Sequence, residues 1–274
     1  MNQSIEIICV GNELLIGKTL NTNAQWLAKR ITTMGLNPHR ITVVGDNINE
    51  ISCTLQETIH RNPNFILITG GLGPTFDDKT LEGLANALGS KTEVNNEALK
   101  MVREKYLSYS LGSKMEPAEL TPHRLKMAKL PEGATPLFNP AGTAPAVFVE
   151  HKKVRIIALP GVPYEMKRIF DESVAPIMEQ AALGVTFFET SIHSSNVMES
   201  EMAPIIDRVM KNNPKVYIKS HPKGTERVPH IEFHLSTTAI DANTARQHVG
   251  KAFFQLAELI QKKGGKIKPV KSET

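Results

Sequence analysis

Hydrophobic positions in the first ninety residues recur with two alternating periods. Ile5–Val10 reads as one apolar run, as in a strand buried on both faces of a parallel sheet. Asn23 then caps a helix that carries Trp26, Leu27, Ile31 and Met34 and that Gly35 ends. Ile41–Val44 reads as a second strand. Asn47 with Glu50 resembles a capping box, opening a helix with Ile48, Ile51, Leu55 and Ile59 on one face. Phe65–Thr69 is a third strand, and Lys79–Leu88 a third helix closed by Gly89. Three strand–helix units in a row predict a parallel, right-handed, doubly wound α/β sheet.

Beyond residue 90 the pattern loosens. Val94–Leu111 reads as a helix and Glu116–Pro145 as a long, partly irregular segment. Ala146–Val149 and Val154–Leu159 read as a hairpin, and Pro163 suits the first turn of a helix to about Ile177. The periodicity changes near Ala182-Leu183-Gly184. Strands are expected at Thr186–Ile192, Lys215–Lys219 and Ile231–Thr237, and helices at Ser200–Met210 and Asn243–Lys262. The expected organisation is an α/β domain over residues 1–181 and a smaller α+β domain over residues 182–274.

Composition narrows the class of protein. With 274 residues, 41% of them apolar, the chain can bury a core without disulfides or a structural metal. Cys9 and Cys53 lie in apolar contexts and read as small core residues in a reducing compartment. The N-terminus lacks the plan of a signal peptide, and no apolar run approaches the roughly 20 residues of a membrane span. A cytoplasmic protein without membrane contact is expected. A formal charge of +4 with few aromatics gives no basis for nucleic-acid binding. The basic stretch from Lys262 to Lys268 reads as a solvated end.

Two motifs are decoys. Gly11 to Thr19 ends in Gly-Lys-Thr, but five residues separate Gly11 from Gly17 where a P-loop has four. Leu14, Leu15 and Ile16 are also wrong for a loop that wraps its amides around phosphate. His230, Glu232 and His234 superficially suggest zinc, but they read as one face of a strand whose other face carries Ile231 and Phe233.

The informative motif is Thr69-Gly70-Gly71-Leu72-Gly73-Pro74-Thr75-Phe76-Asp77-Asp78-Lys79-Thr80. It follows a buried strand and opens a helix, the place where open α/β sheets bind ligands. Its glycines let backbone approach a ligand, and its amides with the helix N-terminus favour an anion. Asp77 and Asp78 beside that anion site call for a bridging hard cation such as Mg²⁺, although one of them can instead cap the helix. Asp46, at the end of the second strand, would face the same crevice. Asn12, Glu13, Asn21 and Asn23 follow the first strand at the same edge. Two later loops also combine glycine with bracketing prolines. They are Asn139-Pro140-Ala141-Gly142-Thr143-Ala144-Pro145 and Leu159-Pro160-Gly161-Val162-Pro163-Tyr164-Glu165. Glu165 falls in a first helical turn, where any acid is favoured.

Taken in order, these motifs resemble the competence/damage-inducible CinA family over roughly residues 5–180. Gly11-Asn12-Glu13-Leu14-Leu15, Val44-Gly45-Asp46, the Gly70–Thr80 stretch and the two later loops carry the resemblance. It implies a three-layer α/β/α sandwich of the MoaB/Mog molybdopterin-binding type, followed by a KH-like α+β domain. It implies Asp46 and Asp78 as functional acids; with the reading of the residues above, Asp78, Asp77 and Asp46 are the candidate catalytic residues, and Asp77 and Asp78 the candidate metal ligands. Substrate contacts are expected from Asn12, Glu13, Asn23, Gly70, Gly71, Gly73, Thr75, Thr80, Asn139, Gly142, Thr143, Pro160, Gly161 and Glu165. The activity implied first is metal-assisted hydrolysis of the ADP-ribose pyrophosphate. The cofactor would be a divalent cation (Mg²⁺, Mn²⁺ or Co²⁺), with K⁺ as a candidate companion. The alternatives are molybdopterin binding or adenylyl transfer in molybdenum-cofactor synthesis, and a non-catalytic nucleotide sensor. The amidohydrolase domain of many bacterial members has no counterpart here, so deamidation is not expected. No Gly-x-x-Gly loop occurs between residues 185 and 262, so the KH-like domain is expected to serve structure or dimerisation.

Overall fold

The computed structural model describes residues 3–112, 120–181, 184–223 and 229–269. The chain divides into two units, Met1–Thr32 with Leu36–Ala182, and Leu183–Thr274 with Thr33–Gly35. The boundary expected at residue 182 lies outside the described residues.

Among the described residues, eight strands belong to the first unit: β1 (Ser4–Val10), β2 (Asn37–Val44), β3 (Phe65–Thr69), β4 (Thr92–Val94), β5 (Lys129–Pro131), β6 (Thr135–Leu137), β7 (Ala146–His151) and β8 (Val154–Leu159). Its helices are α1 (Asn12–Leu15), α2 (Thr22–Thr33), α3 (Ile48–His60), α4 (Thr80–Ala87), α5 (Asn96–Gly112), α6 (Pro122–Lys126), α7 (Pro163–Ile169) and α8 (Ala175–Ala181). The main sheet has the order β2-β1-β3-β8-β7-β6, and β4 pairs with β5 apart from it. β2, β1, β3 and β8 are mutually parallel, while β7 and β6 turn back antiparallel. The fold is therefore α/β with a parallel-rich sheet, and its antiparallel edge comes from the 146–159 hairpin.

Alternation along the strands explains the layers. Ile8, Val10, Ile66, Ile68, Ile156 and Ala158 pack with Ile51, Leu55, Leu81, Leu84, Ala98 and Val102 of α3, α4 and α5. Ile5, Ile7, Phe65, Leu67 and Ile157 point the other way and are equally buried. That side belongs to α2 and α7–α8, whose Leu27, Ile31, Met166 and Met178 are buried. A π turn, Phe170–Val174, interrupts the helix read from Pro163 to Ile177. It seats the Phe170 ring edge-on against Trp26, centroids 5.4 Å apart.

Several sequence expectations need correction. The run Ile5–Val10 is not wholly apolar: Glu6 lies in it, buried, and its carboxylate accepts from Arg61 Nε at 2.9 Å and Nη2 at 2.7 Å. A charge survives there because a paired fork satisfies both oxygens. The cap of α2 is Asn21, whose Oδ1 accepts from the Ala24 amide at 3.0 Å, so Asn23 is released for other work. Cys9 is buried but Cys53 is exposed, because it lies off the Ile51–Leu55 stripe of α3. Within the segment read as irregular, α6, β5 and β6 form where Thr121 and Pro122 supply a cap and a first turn.

The second unit contains β9 (Thr186–Ser195), β10 (Tyr217–Pro222), β11 (His230–Ala239), β12 (Lys266–Pro269), α9 (Glu199–Asn212) and α10 (Ala242–Lys262). Its antiparallel sheet runs β10-β11-β9-β12. Ile192, Phe233 and Leu235 pack against Met202, Val209, Leu256 and Ile260 of the two helices. The basic tail is not simply solvated: Lys266-Ile267-Lys268 alternates with period two and pairs with β9. Among the described residues no helix is long and apolar enough to cross a membrane.

Candidate functional site

Parallel strands deliver their carboxyl ends to one edge, so four loops converge there. Gly11-Asn12-Glu13 follows β1, Gly45-Asp46 follows β2, Gly70–Asp78 follows β3 and Pro160-Gly161 follows β8. Because β7 is antiparallel to β8, the loop before it, 139–145, arrives at the same edge.

The β1 and β2 ends are stitched reciprocally. Asp46 Oδ2 accepts from the Asn12 amide at 2.8 Å, and Asn12 Oδ1 accepts from the Asp46 amide at 3.2 Å. Asn12, expected to read a ligand, thus spends its side-chain oxygen on Asp46. A Cβ on Gly45 would lie 2.5 Å from that oxygen, so a larger residue would push the Asn12 side chain off Asp46. The Glu13 carboxylate folds back over Gly11. Burial pushes the Asp46 carboxyl above its ordinary range. The Asn12 amide opposes the shift, and the charges of Glu13, Asp77 and Asp78 add to it.

The β3 and β8 ends are tied just as closely. Thr69 Oγ1 donates to the Pro160 carbonyl at 3.0 Å, and the Gly70 amide donates to Leu159 O at 3.0 Å. Asn23 Nδ2 donates to Thr69 Oγ1 at 3.1 Å and to Gly161 O at 2.8 Å, joining α2 to both loops. Its Oδ1 is buried and has no hydrogen-bond partner. Gly70 takes φ 107°, and any Cβ there would overlap the Val10 carbonyl. Thr80, fully buried, donates from Oγ1 to Gly70 O at 2.7 Å.

The acids after the glycines are organised by Thr75. Asp78 Oδ2 accepts from the Thr75 amide at 2.8 Å, and the Thr75 hydroxyl contacts both Asp77 and Asp78. That hydroxyl carries one hydrogen for two carboxylates. Its hydrogen bond holds the exposed Asp77 below the ordinary carboxyl range, helped by the Asp77 amide. Thr75, expected as a ligand contact, therefore shapes the acidic pair.

The later loops form a separate lock. Asn139 is buried; its Nδ2 donates to Ala144 O at 2.8 Å and to Glu165 Oε2 at 2.7 Å, while its Oδ1 accepts from the Ala141 and Gly142 amides. Gly142 lies against the Glu165 carboxylate so closely that a Cβ would overlap it. The Thr143 hydroxyl contacts Met127 Sδ at 3.7 Å. Glu165 thus bridges two loops, beyond its favourable place in a first helical turn.

Two open cavities flank the glycine loop. One, of about 430 Å³, is lined by Val10, Glu13, Asn21, Asn23, Gly70 and Gly161 among others. The other, of about 330 Å³, is lined by Gly71, Gly73, Asp78, Glu82, Lys126 and Lys129 among others. Sequence reasoning missed Lys126 and His123. Both lie on α6, whose Thr121-Pro122 start was the available signal. His123 Nδ1 is 3.2 Å from Pro74 O, and Lys126 Nζ donates to Thr75 O. Among the described residues no three His, Cys, Asp or Glu side chains are placed to hold a metal ion by themselves. Two carboxylates that recruit phosphate and water oxygens are what Mg²⁺ requires, so the acidic pair fits a cation shared with a ligand.

Fold and edge together define an α/β protein of the kind that receives a ligand where parallel strands end. Residues 6–180 match the family described as "Probable molybdopterin binding domain", and the chain belongs to that family. A protein of Pyrobaculum aerophilum is 44% identical over 260 residues, 94% of this chain and 95% of that one. One of Sulfolobus acidocaldarius is 39% identical over 270 residues, 98% and 99% of the two chains. The crystal structure of the protein CinA from Thermoplasma acidophilum is 38% identical, with a TM-score of 0.57, covering 66% of this chain and 98% of that chain.

Proposed function

We propose that the chain binds a phosphorylated pterin of the molybdopterin type, with its phosphate on the glycine loop and its ring in the cavity beside Asn23. The carrying observation is the Gly70–Gly73 turn at the end of a central parallel strand, joined to α4, in a chain of the molybdopterin-binding family. Backbone amides and a helix start favour an anion there. The buried, unpartnered Oδ1 of Asn23 offers an acceptor to the ring N–H or amino groups of a pterin. Leu14, Leu20 and Pro163 give the same cavity an apolar wall.

A second reading is hydrolysis of a phosphoanhydride such as ADP-ribose, and the four neighbouring carboxylates favour it. Here Asp77 and Asp78 would hold a divalent cation, which supplies charge neutralisation at the phosphoryl oxygens. Asp46, made more basic by burial, would take the proton of the attacking water.

One screen separates the readings. The full chain is titrated calorimetrically with molybdopterin and with ADP-ribose, with Mg²⁺, Mn²⁺ or Co²⁺ present, and products are followed by chromatography. Pterin binding without AMP release is the expected result. AMP release from ADP-ribose that Asp78→Ala abolishes would establish the second reading instead, and failure to bind the pterin would end the first.

A further inference from the structure

Lys126 belongs to none of the glycine-loop motifs, and neither reading above uses it. Its helix α6 is only five residues long, capped by the Thr121 hydroxyl on the Arg124 amide at 3.3 Å. Two of its side chains dock on successive carbonyls of the glycine loop, His123 on Pro74 O and Lys126 on Thr75 O. The docking brings the Lys126 ammonium to the wall of the cavity that also exposes Gly71, Gly73 and Asp78.

We propose that Lys126 is the residue that selects for a phosphate on the ligand, by donating to phosphate oxygens held over the glycine loop. This rests on the reading that the loop receives a phosphorylated ligand.

Three observations converge. An ammonium has three hydrogens, and one on Thr75 O leaves two for a phosphate. The cavity walls also bring the negative charges of Asp78 and Glu82, which repel a phosphate unless a cation faces it; of the two lysines there, Lys129 is exposed, while Lys126 is half-buried and held on the loop by Thr75 O. Finally, the half-buried ammonium gains from a further anion. Burial lowers its affinity for the proton, and Asp78 and Glu82 restore it only in part. An incoming phosphate relieves that penalty. A lysine suits this better than an arginine, since a compact ammonium accepts any phosphate orientation.

The test compares 6-hydroxymethylpterin with its monophosphate, by calorimetry on the full chain, for wild type, Lys126→Met and Lys126→Arg, with melting temperatures measured alongside. Wild type should bind the monophosphate more tightly than the free alcohol. Lys126→Met should weaken the monophosphate by roughly tenfold to a hundredfold, the loss of charge-assisted hydrogen bonds, and leave the alcohol unchanged. Lys126→Arg should recover part of the loss. Equal weakening of both pterins in Lys126→Met would show a structural role and overturn the inference while leaving pterin binding intact. So would an undiminished phosphate preference in Lys126→Met. If wild type binds neither compound, the pterin reading fails first and takes this inference with it.

Discussion

Replacing Thr80 with Val tests whether the glycine loop is held in shape by one buried hydroxyl. The side chain is fully buried, and its Oγ1 donates to Gly70 O at 2.7 Å. Valine keeps the shape but offers a methyl group, leaving the carbonyl unpaired at a cost of about 1–3 kcal/mol. A methyl also cannot stay that near an oxygen, since apolar contacts relax to about 3.5 Å or more. The loop must then shift, placing the sum near about 2–3 kcal/mol. At roughly 2–4 °C per kcal/mol for a unit of this size, melting should fall by about 4–12 °C. Thr80→Ser keeps the hydroxyl and loses one buried methyl, about 1 kcal/mol, or roughly 2–4 °C. Calorimetric melting of the two variants beside wild type measures both. Phosphorylated-ligand affinity should fall in Val and persist in Ser. A Val variant at least as stable as Ser, with unchanged affinity, would refute the argument.

Two further predictions concern charge. Asp46 is raised in the folded state, so its favourable contribution is fully present below the ordinary carboxyl value of about 3.9 and is lost as pH rises through the raised value. Asp46→Asn, which keeps an acceptor for the Asn12 amide, should therefore melt higher than wild type at pH 7, and the gap should close toward pH 4. A gap that widens on acidification contradicts this. Arg61→Ala should cost about 3 kcal/mol, the low end for stranding a buried partner, because Arg61 itself is only partly buried while Glu6 is 6% exposed along its side chain. The double variant Glu6→Leu/Arg61→Met should recover most of that loss in urea titrations; if it is no better than Arg61→Ala, stranded charge is not the cause.

Where periodicity is strong, as in Phe65–Thr69 and α3, the sequence read directly as structure, and Gly70 to Asp78 marked the candidate site by composition. What stayed hidden depends on contacts across long separations. No pattern near Asn23 reveals that Asn21 takes over the cap, freeing Asn23 for Thr69 and Gly161. Lys126 became visible only when α6 folded against residues fifty positions earlier. β12 was masked by its lysines, since alternation over four residues is a weak signal. Glu6 was lost inside its apolar neighbours because its partner Arg61 lies beyond α2, β2 and α3.

The glycines of the loops leave room chiefly for the protein's own polar side chains. Gly73 lies against Asp78, Gly45 against Asn12 and Gly142 against Glu165, each so close that a Cβ would push the hydrogen-bonded end of that side chain aside. The small residue and its polar neighbour are in effect one unit of design. A library that varies the glycine alone will record it as intolerant of a side chain. Paired changes, such as Gly142→Ala with Glu165→Asp, open sequence space that single substitutions close. The order in which such a pair could drift is also set: the carboxylate must shorten before the glycine can grow.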